Sequence, residues 1–278
     1  MDQHTNDEIL DAIATEAFGA LDQTSQIAPF SSRPRGLSVD DAYCVTPRVR
    51  AMFEAGGARV LGRKIGFTNR TIWQQYNVYA PIWGYAFDRT VHDLAATPTL
   101  SLAHLSEPRI EPEIMFGLGK APSAGMDEAA LCACIDWVAL GYEIVQSIYP
   151  GWQFAAADTI AAGGLHGALL IGPRHSFAPR ATEWVSALTD FEIDLNCDGR
   201  LIDRGHARNV LEGPLSALRH LVELLGSDPV NPALAAGEII STGTLTKAMP
   251  VAAGETWTAN PSGIALEGVA IRFVCDAE

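Results

Sequence analysis

Basic residues are scarce in this chain of 278: 19 Lys and Arg face 33 Asp and Glu, leaving a formal charge of −14 with histidine neutral. That sign repels phosphate backbones and anionic headgroups, and it excludes non-specific nucleic-acid and membrane-surface binding. Long apolar runs are also missing. The most apolar stretch, Ile160 to Gly172, is shorter than the roughly 18 residues of a bilayer span and holds His166 in its middle. The opening MDQHTNDEIL carries acids and no basic segment, so no secretory signal is expected. Only five cysteines occur (Cys44, Cys132, Cys134, Cys197 and Cys275), and their odd number and spacing suit neither a disulfide framework nor a zinc site. Cys132 and Cys134 fall in a predicted helix, where thiols two residues apart point about 200° away from each other. A reduced, cytoplasmic protein is the expectation. The short signatures of common enzymes are absent as well: no Walker A loop, GxSxG or HExxH occurs, and Gly117-x-Gly119 lacks the third glycine of a dinucleotide loop.

What is present is a large apolar fraction, 48%, enough to bury a substantial core. Ile9, Leu10, Ile13, Ala17 and Leu21 recur at three- and four-residue spacing, predicting a helix over 6–21 with Asn6 as its N-cap. A second helical pattern runs from Ser38 to about Glu54 and is stopped by Gly56 and Gly57. From Arg59 onward the texture changes to short strands, predicted over 59–67, 110–118, 140–146, 168–171, 191–197, 238–243, 255–259 and 268–274. Helical patterns interrupt them at 127–138 and 214–225. The organisation read from this is a helical N-terminal region, 1–58, leading into a strand-rich α+β domain, 59–278.

The chemistry must then lie in carboxylates. In RIEPEIMFGL, strand alternation puts Glu111, Glu113 and Met115 on one face and Ile110, Ile114 and Phe116 on the other. If the acidic face is exposed, the two acids are merely solvated. If it is buried, repulsion and desolvation protonate one of them unless a cation sits between them. A third acid, Glu143, stands in the nearly uncharged strand LGYEIVQS, where a lone carboxylate needs a partner, either a basic side chain or a shared ion. Three carboxylates from two strands suit a hard cation with oxygen ligands, Mg²⁺ or Mn²⁺. Lys64, in VLGRKIGFTN, reads either as an edge-strand lysine or as an ammonium aimed at a substrate oxygen. Thr242, Gly243 and Thr244 offer hydroxyl and backbone donors suited to an anion, though turn chemistry alone also explains the glycine.

Together these segments resemble the fumarylacetoacetate hydrolase superfamily, in particular its 2-keto-4-pentenoate hydratase and 4-oxalocrotonate decarboxylase branch. The matching pieces are GRKIGFTN with QQYNVYAPIWGYAFD, RIEPEIMFGL, LGYEIVQS with GW, ADTIA with GALLIG, GPLSALRHL, and AGEIISTGTLTKAMPVAAGE, in that order from Leu61 to Glu255. The resemblance implies a distorted mixed β-roll or barrel with a helical N-terminal region. It implies Glu111, Glu113 and Glu143 as ligands of Mg²⁺ or Mn²⁺, Lys64 at the oxo-acid end of the substrate, Asp88 near the active site, and Trp152 in the substrate pocket. It also implies a homo-oligomer and allows a complex with a neighbouring pathway enzyme. The ion would chelate a 2-oxo acid and stabilise its enolate, which can then be hydrated, decarboxylated or cleaved.

Departures fall where the reaction is decided. Ser147 is followed by Ile148 where hydratases of the branch carry arginine, and Gly151 stands before Trp152 where they carry an acid. Ala162 and Gly163 replace an Asp-Asn pair. The loop GGLHGALL supplies His166 instead, which reads either as a satisfied core imidazole or as a relocated water-activating base. The other histidines (His4, His92, His104, His175, His206 and His220) show no ligand spacing. The expected activity is a divalent-metal-dependent hydratase or lyase acting on a 2-hydroxydienoate or 2-oxo acid from aromatic ring cleavage. The alternatives are a C–C hydrolase of an acylpyruvate with His166 as base, and a non-catalytic homologue that binds metal and oxo acid.

Overall fold

The structure, a computed structural model, describes residues 3–275. Two helices lead, α1 (Gln3–Asp22) and α2 (Val39–Ala55). There follow β1 (Val60–Gly66), the single turn α3 (Trp73–Tyr76), β2 (Ile82–Phe87), β3 (Val91–Asp93), β4 (Thr99–Ser101), β5 (Arg109–Leu118), α4 (Glu128–Cys132) and β6 (Ile135–Val145). The chain continues through α5 (Ala156–Ala161), β7 (His166–Ile171), β8 (His175–Ser176), α6 (Ala181–Ala187), β9 (Glu192–Cys197) and β10 (Arg200–His206). It ends with α7 (Pro214–Gly226), β11 (Ile239–Thr244), β12 (Met249–Pro250), β13 (Thr256–Ser262) and β14 (Val269–Val274).

The α1 face carrying Leu10, Ile13, Ala14 and Ala17 is buried, as its spacing predicts, but the helix starts at Gln3. Asn6 therefore lies inside it rather than capping it, and its side-chain oxygen accepts from Arg35. Ser38 does cap α2, its hydroxyl accepting from the Asp41 N–H at 3.1 Å. The helix expected over 127–138 is cut short. Asp127 caps its start, but from Ile135 the chain pairs with β5 along its length, and the β-branched and aromatic side chains Ile135, Trp137 and Val138 follow the sheet. The strands β2, β3, β4 and β10, and the two-residue strands β8 and β12, carry no clear alternation and lie outside the ranges the pattern predicts.

The larger, curled sheet has the order β2-β1-β11-β5-β6-β7-β3, with β12 continuing beside β5 and β8 beside β6. Two of its pairings, β1 with β11 and β3 with β7, are parallel and the rest antiparallel. A second sheet runs β10-β9-β13-β14-β4. This is the mixed α+β architecture expected, a half-barrel sheet with helices leading into it. Leu10, Ile13, Val45 and Phe53 of the leading helices share one buried cluster with Ile110, Ile114, Leu140 and Leu170 of the large sheet.

Two features of β5 and β6 place the site. Glu111 stands opposite Glu143, Glu113 opposite Gly141 and Met115 opposite Ala139. One face of the pair is therefore acidic at one end, and at the other it is sealed by Ala86, Met115, Ala139, Leu169 and Ile171. Pro112 sits in the middle of β5, a position that normally breaks a ladder. Its carbonyl accepts from Leu245 N–H at 3.0 Å, so its missing N–H faces the same side, where β11 ends at Thr244 and β12 begins only at Met249. The sheet opens at that gap.

Candidate metal centre

Glu113 and Glu143 are wholly buried, and Glu111 is half-buried on the same face. Their carboxylate oxygens lie within 4.8 Å of one another, the one such group of metal-capable side chains among the described residues. Water cannot reach two of the three acids, and like charges crowd them. Burial, with Glu143 adding and Lys64 opposing, pushes Glu111 up to about 7. Burial first, then repulsion by Glu143 and Glu111, raises Glu113 well above the carboxylate range.

Each buried glutamate has one oxygen held by hydrogen-bond partners and one without any. The Glu113 Oε2 accepts from the Ser241 hydroxyl and, at 2.9 Å, from the Gly243 N–H, whereas its Oε1 is buried without a hydrogen-bond partner. The Glu143 Oε1 lies 2.9 Å from His166 Nδ1. Its Oε2 has no hydrogen-bond partner and lies only within ion-pair distance, 3.0 Å, of Lys64 Nζ. Buried carboxylate oxygens without a hydrogen bond, converging from two strands in a set of oxygen donors only, fit a hard divalent cation.

Lys64 is buried on β1 beside this cluster and donates to the Gly164 carbonyl at 2.9 Å. Burial alone would lower it, but the three glutamates together raise it, so the side chain stays an ammonium. Gly164 takes a left-handed φ of +72°, which turns its carbonyl to the lysine. Gly243 is constrained more tightly: its φ is +100°, and a Cβ there would lie 2.0 Å from Thr68 Oγ1.

Lys64 and Glu111 line a cavity of about 130 Å³ together with Thr68, Asn69, Arg109, Thr244, Lys247 and an apolar wall of Phe67, Ile72, Val145, Trp152, Leu165 and Met249. Phe67, Trp152 and Leu165 hold left-handed backbones, with φ of +53°, +58° and +63°. For bulky side chains these are strained conformations, and three gather around one pocket. Trp152 is fixed by its indole N–H on the Glu107 carbonyl at 3.0 Å and by the Arg109 guanidinium 4.1 Å over its ring.

The structure thus brings Lys64, Glu111, Glu113, Glu143, Trp152 and Thr244 to one place. Asp88 is not among them: it lies at the far end of the β1–β2 pair, where Arg59 binds it through both backbone N–H and side chain at the surface. Thr242 points away, its hydroxyl donating to the Ile114 carbonyl, because neighbours on a strand alternate faces. Gly243 spends its N–H on Glu113 rather than on an anion in the cavity. His166 touches Glu143 but lines a different cavity, of about 430 Å³, with Thr90, His92 and His104. Sequence reasoning passed over Ser241, Thr68, Asn69, Arg109, Lys247 and Thr90. All but Thr90 lie in segments that the family resemblance had singled out, GRKIGFTN, RIEPEIMFGL and AGEIISTGTLTKAMPVAAGE, so the signal that could have found them was the segment, not the residue.

The geometry has counterparts among known proteins. The chain is 30% identical over 86% of its length, and 88% of the relative's, to a 2-hydroxyhexa-2,4-dienoate hydratase of Comamonas testosteroni. It is 28% identical over 97% of its length, and 98% of the relative's, to a 4-oxalocrotonate decarboxylase of Pseudomonas sp. strain CF600. A solved 4-oxalocrotonate decarboxylase from Pseudomonas putida G7, complexed with magnesium and adipate, superposes with a TM-score of 0.85 at 27% identity over 96% of this chain and 98% of that one. Residues 91–267, more than half of the sequence, match the family described as fumarylacetoacetate (FAA) hydrolase C-terminal. The chain belongs to the fumarylacetoacetate hydrolase family.

Proposed function

We propose that this protein is a divalent-metal-dependent hydratase or lyase acting on a 2-hydroxydienoate or related 2-oxo acid from aromatic ring cleavage. The observation that carries the reading is the convergence of Glu111, Glu113 and Glu143, two of whose buried oxygens accept no hydrogen bond, beside a small cavity that Glu111 and Lys64 line. Relatives named for hydratase and decarboxylase activity support it. Glu111, Glu113 and Glu143 hold the ion, Mg²⁺ or Mn²⁺. When bound, it supplies Lewis-acid polarisation of the oxo acid's oxygens.

The chain's own residues do the rest. Lys64 Nζ stays protonated among the glutamates and offsets the charge that develops on the substrate's oxygens, acting as a donor rather than a base. The Thr68 hydroxyl, buried in the cavity wall without a partner, is available to a carboxylate oxygen. Arg109 and Lys247 add positive charge to the lining, and Phe67, Ile72, Trp152 and Leu165 enclose the carbon tail and exclude water. At about 130 Å³, below the roughly 300–1,000 Å³ of pockets for drug-sized ligands, the cavity has room only for a small acid. The reading includes a cytoplasmic homo-oligomer, which a native mass measurement checks.

The test is product analysis on a panel of 2-hydroxydienoates, 2-oxo dicarboxylates and acylpyruvates. Each is assayed with Mg²⁺ or Mn²⁺, after exhaustive chelation, and after the metal is restored. Water addition or loss of carbon dioxide that vanishes on chelation and returns with metal is the expected result. Release of two acids from an acylpyruvate would install the C–C hydrolase, and metal and oxo-acid binding without turnover the non-catalytic homologue. Turnover that survives chelation would overturn all three.

A further inference from the structure

The geometry points to His166, backed by Thr90, as the positioning residue that fixes Glu143 for the ion. This rests on the metal reading above and adds a cause for the aim of one ligand. The local backbone is built for it. Along the β6–β7 pair, Ile144 stands opposite Ala168 and Val145 opposite His166, so Gly167 is the extra residue of a bulge. In an unbroken ladder His166 would point to the face opposite Leu169 and Glu143. The bulge re-aims it onto the Glu143 side. Only glycine fits the bulge, since a Cβ at 167 would lie 2.6 Å from the Ile144 carbonyl.

The ring is then fixed at both nitrogens. Nδ1 lies 2.9 Å from Glu143 Oε1 and Nε2 lies 2.9 Å from Thr90 Oγ1. Thr90 is itself tied to the turn after β2, with its hydroxyl 3.0 Å from the Phe87 carbonyl. A carboxylate that binds a cation is ionised and only accepts, so Nδ1 carries a proton and donates it to Glu143. That commitment removes the lone pair a general base would need on that side, and the other nitrogen faces Thr90 rather than the Lys64 cavity. What His166 achieves is to occupy Oε1 and leave Oε2, which accepts no hydrogen bond and has Lys64 Nζ 3.0 Å away, as the oxygen open to a cation. Ser241 and Gly243 do the same to Glu113 from the other side, holding Oε2 and leaving Oε1. Two unrelated devices producing one outcome on two ligands argue for pre-organisation of a cation site.

The experiment is Mn²⁺ titration of the full chain, followed by the loss of the free-ion paramagnetic signal, in wild type, His166→Ala, His166→Asn and Thr90→Val. Melting curves in chelator verify that each variant is folded. His166→Ala is expected to weaken Mn²⁺ about 10- to 100-fold. His166→Asn, whose amide nitrogen overlays Nδ1, should stay within roughly threefold of wild type, and Thr90→Val should fall between the two. At saturating Mn²⁺ the kcat of His166→Ala should return to within about tenfold, whereas loss of a general base costs roughly 10²–10⁴ that metal does not restore. Wild-type Mn²⁺ affinity in His166→Ala, or an Asn variant as weak as the Ala variant, overturns the assignment while the metal reading stands. A wild-type chain that takes up no Mn²⁺ brings down the metal reading and this inference with it.

Discussion

Arg63 and Lys64 are consecutive on β1, both cations and both buried, yet strand alternation sends them to opposite faces and opposite purposes. Arg63 meets one carboxylate, Glu238, and lies 4.1 Å over the Tyr85 ring and 5.7 Å from that of Trp83. One cation, one anion and two aromatic faces make a closed account of charge. Lys64 meets three carboxylates, so +1 against −3 leaves a formal surplus of −2. Burying unpaired charge is costly, and the two faces answer that cost differently. The first is a structural pair. On the proposed reading the second is balanced by a divalent cation, or by protons in its absence, and this is the physical basis for assigning function to one side of a strand and not to the other.

The sharpest way to break the contrast is Glu113→Gln. Because burial already favours a protonated Glu113 without metal, the amide is a close mimic of the metal-free state. The variant should fold and melt in chelator as the wild type does. Its Mn²⁺ affinity should nevertheless fall by more than about a hundredfold, beyond the 10- to 100-fold typical of groups that only support a ligand, and activity should fall with it. Calorimetric titration beside a melting curve checks both halves. Unchanged metal affinity would mean that the surplus charge has another use.

Arg63→Met is the mirror experiment. Glu238 loses its partner at a site where its side chain is only 14% exposed, and breaking a buried pair costs about 3–5 kcal/mol. Partial solvent access argues for the lower end. At roughly 2–4 °C per kcal/mol, Tm should drop by about 6–12 °C. Mn²⁺ affinity should stay within about twofold, since the Arg63 side chain lies on the opposite face of β1 from Lys64 and shares no ion-pair partner with it. Loss of metal binding with retained Tm would reverse the roles of the two neighbours.

This asymmetry was half legible in the sequence. The acids announced themselves because Glu111-x-Glu113 and Glu143 interrupt apolar strands, and period-two alternation put the first pair on one face without any structure. Lys64 was legible for the same reason, but its neighbour Arg63 was not separable from it by pattern alone. Their different fates depend on Glu238, 175 residues away, and on the pairing of β1 with β2 and β11. Asp88 was placed near the site because it closes a matched segment, but membership of such a segment says nothing of which end of a strand faces the site. The orientation of His166 was hidden in a bulge, an irregularity that no periodicity reports. The fold was read most clearly where strands alternate cleanly. It was missed at β2, whose six residues are all buried and so show no alternation, and at the start of β6, where pairing overrode a helical pattern.

The mildest test of the contrast is pH. In the metal-free chain, burial pushes Glu111 from its ordinary value of 4.5 up to about 7 and raises Glu113 as well. The folded state therefore keeps protons that the unfolded chain has released. Between about pH 4.5 and 7 the folded form binds more protons than the unfolded one, so rising pH destabilises the chelated protein across that window. Bound metal displaces those protons, so its affinity should rise with pH through the same interval. Lys64 already holds the Glu111 value down, so what remains of the carboxylates' shift appears as a fall in Tm of the chelated chain across the window. The metal-loaded chain should not share it. Melting curves from pH 5 to 8, with chelator and with Mn²⁺, measure the gap directly. Arg63→Met should lower both curves and leave the gap unchanged. Glu113→Gln, which has no proton to lose at that position, should narrow it. A gap that stays constant with pH in the wild type would mean that the three carboxylates are ionised together without a cation, and the −2 surplus would then need a different partner.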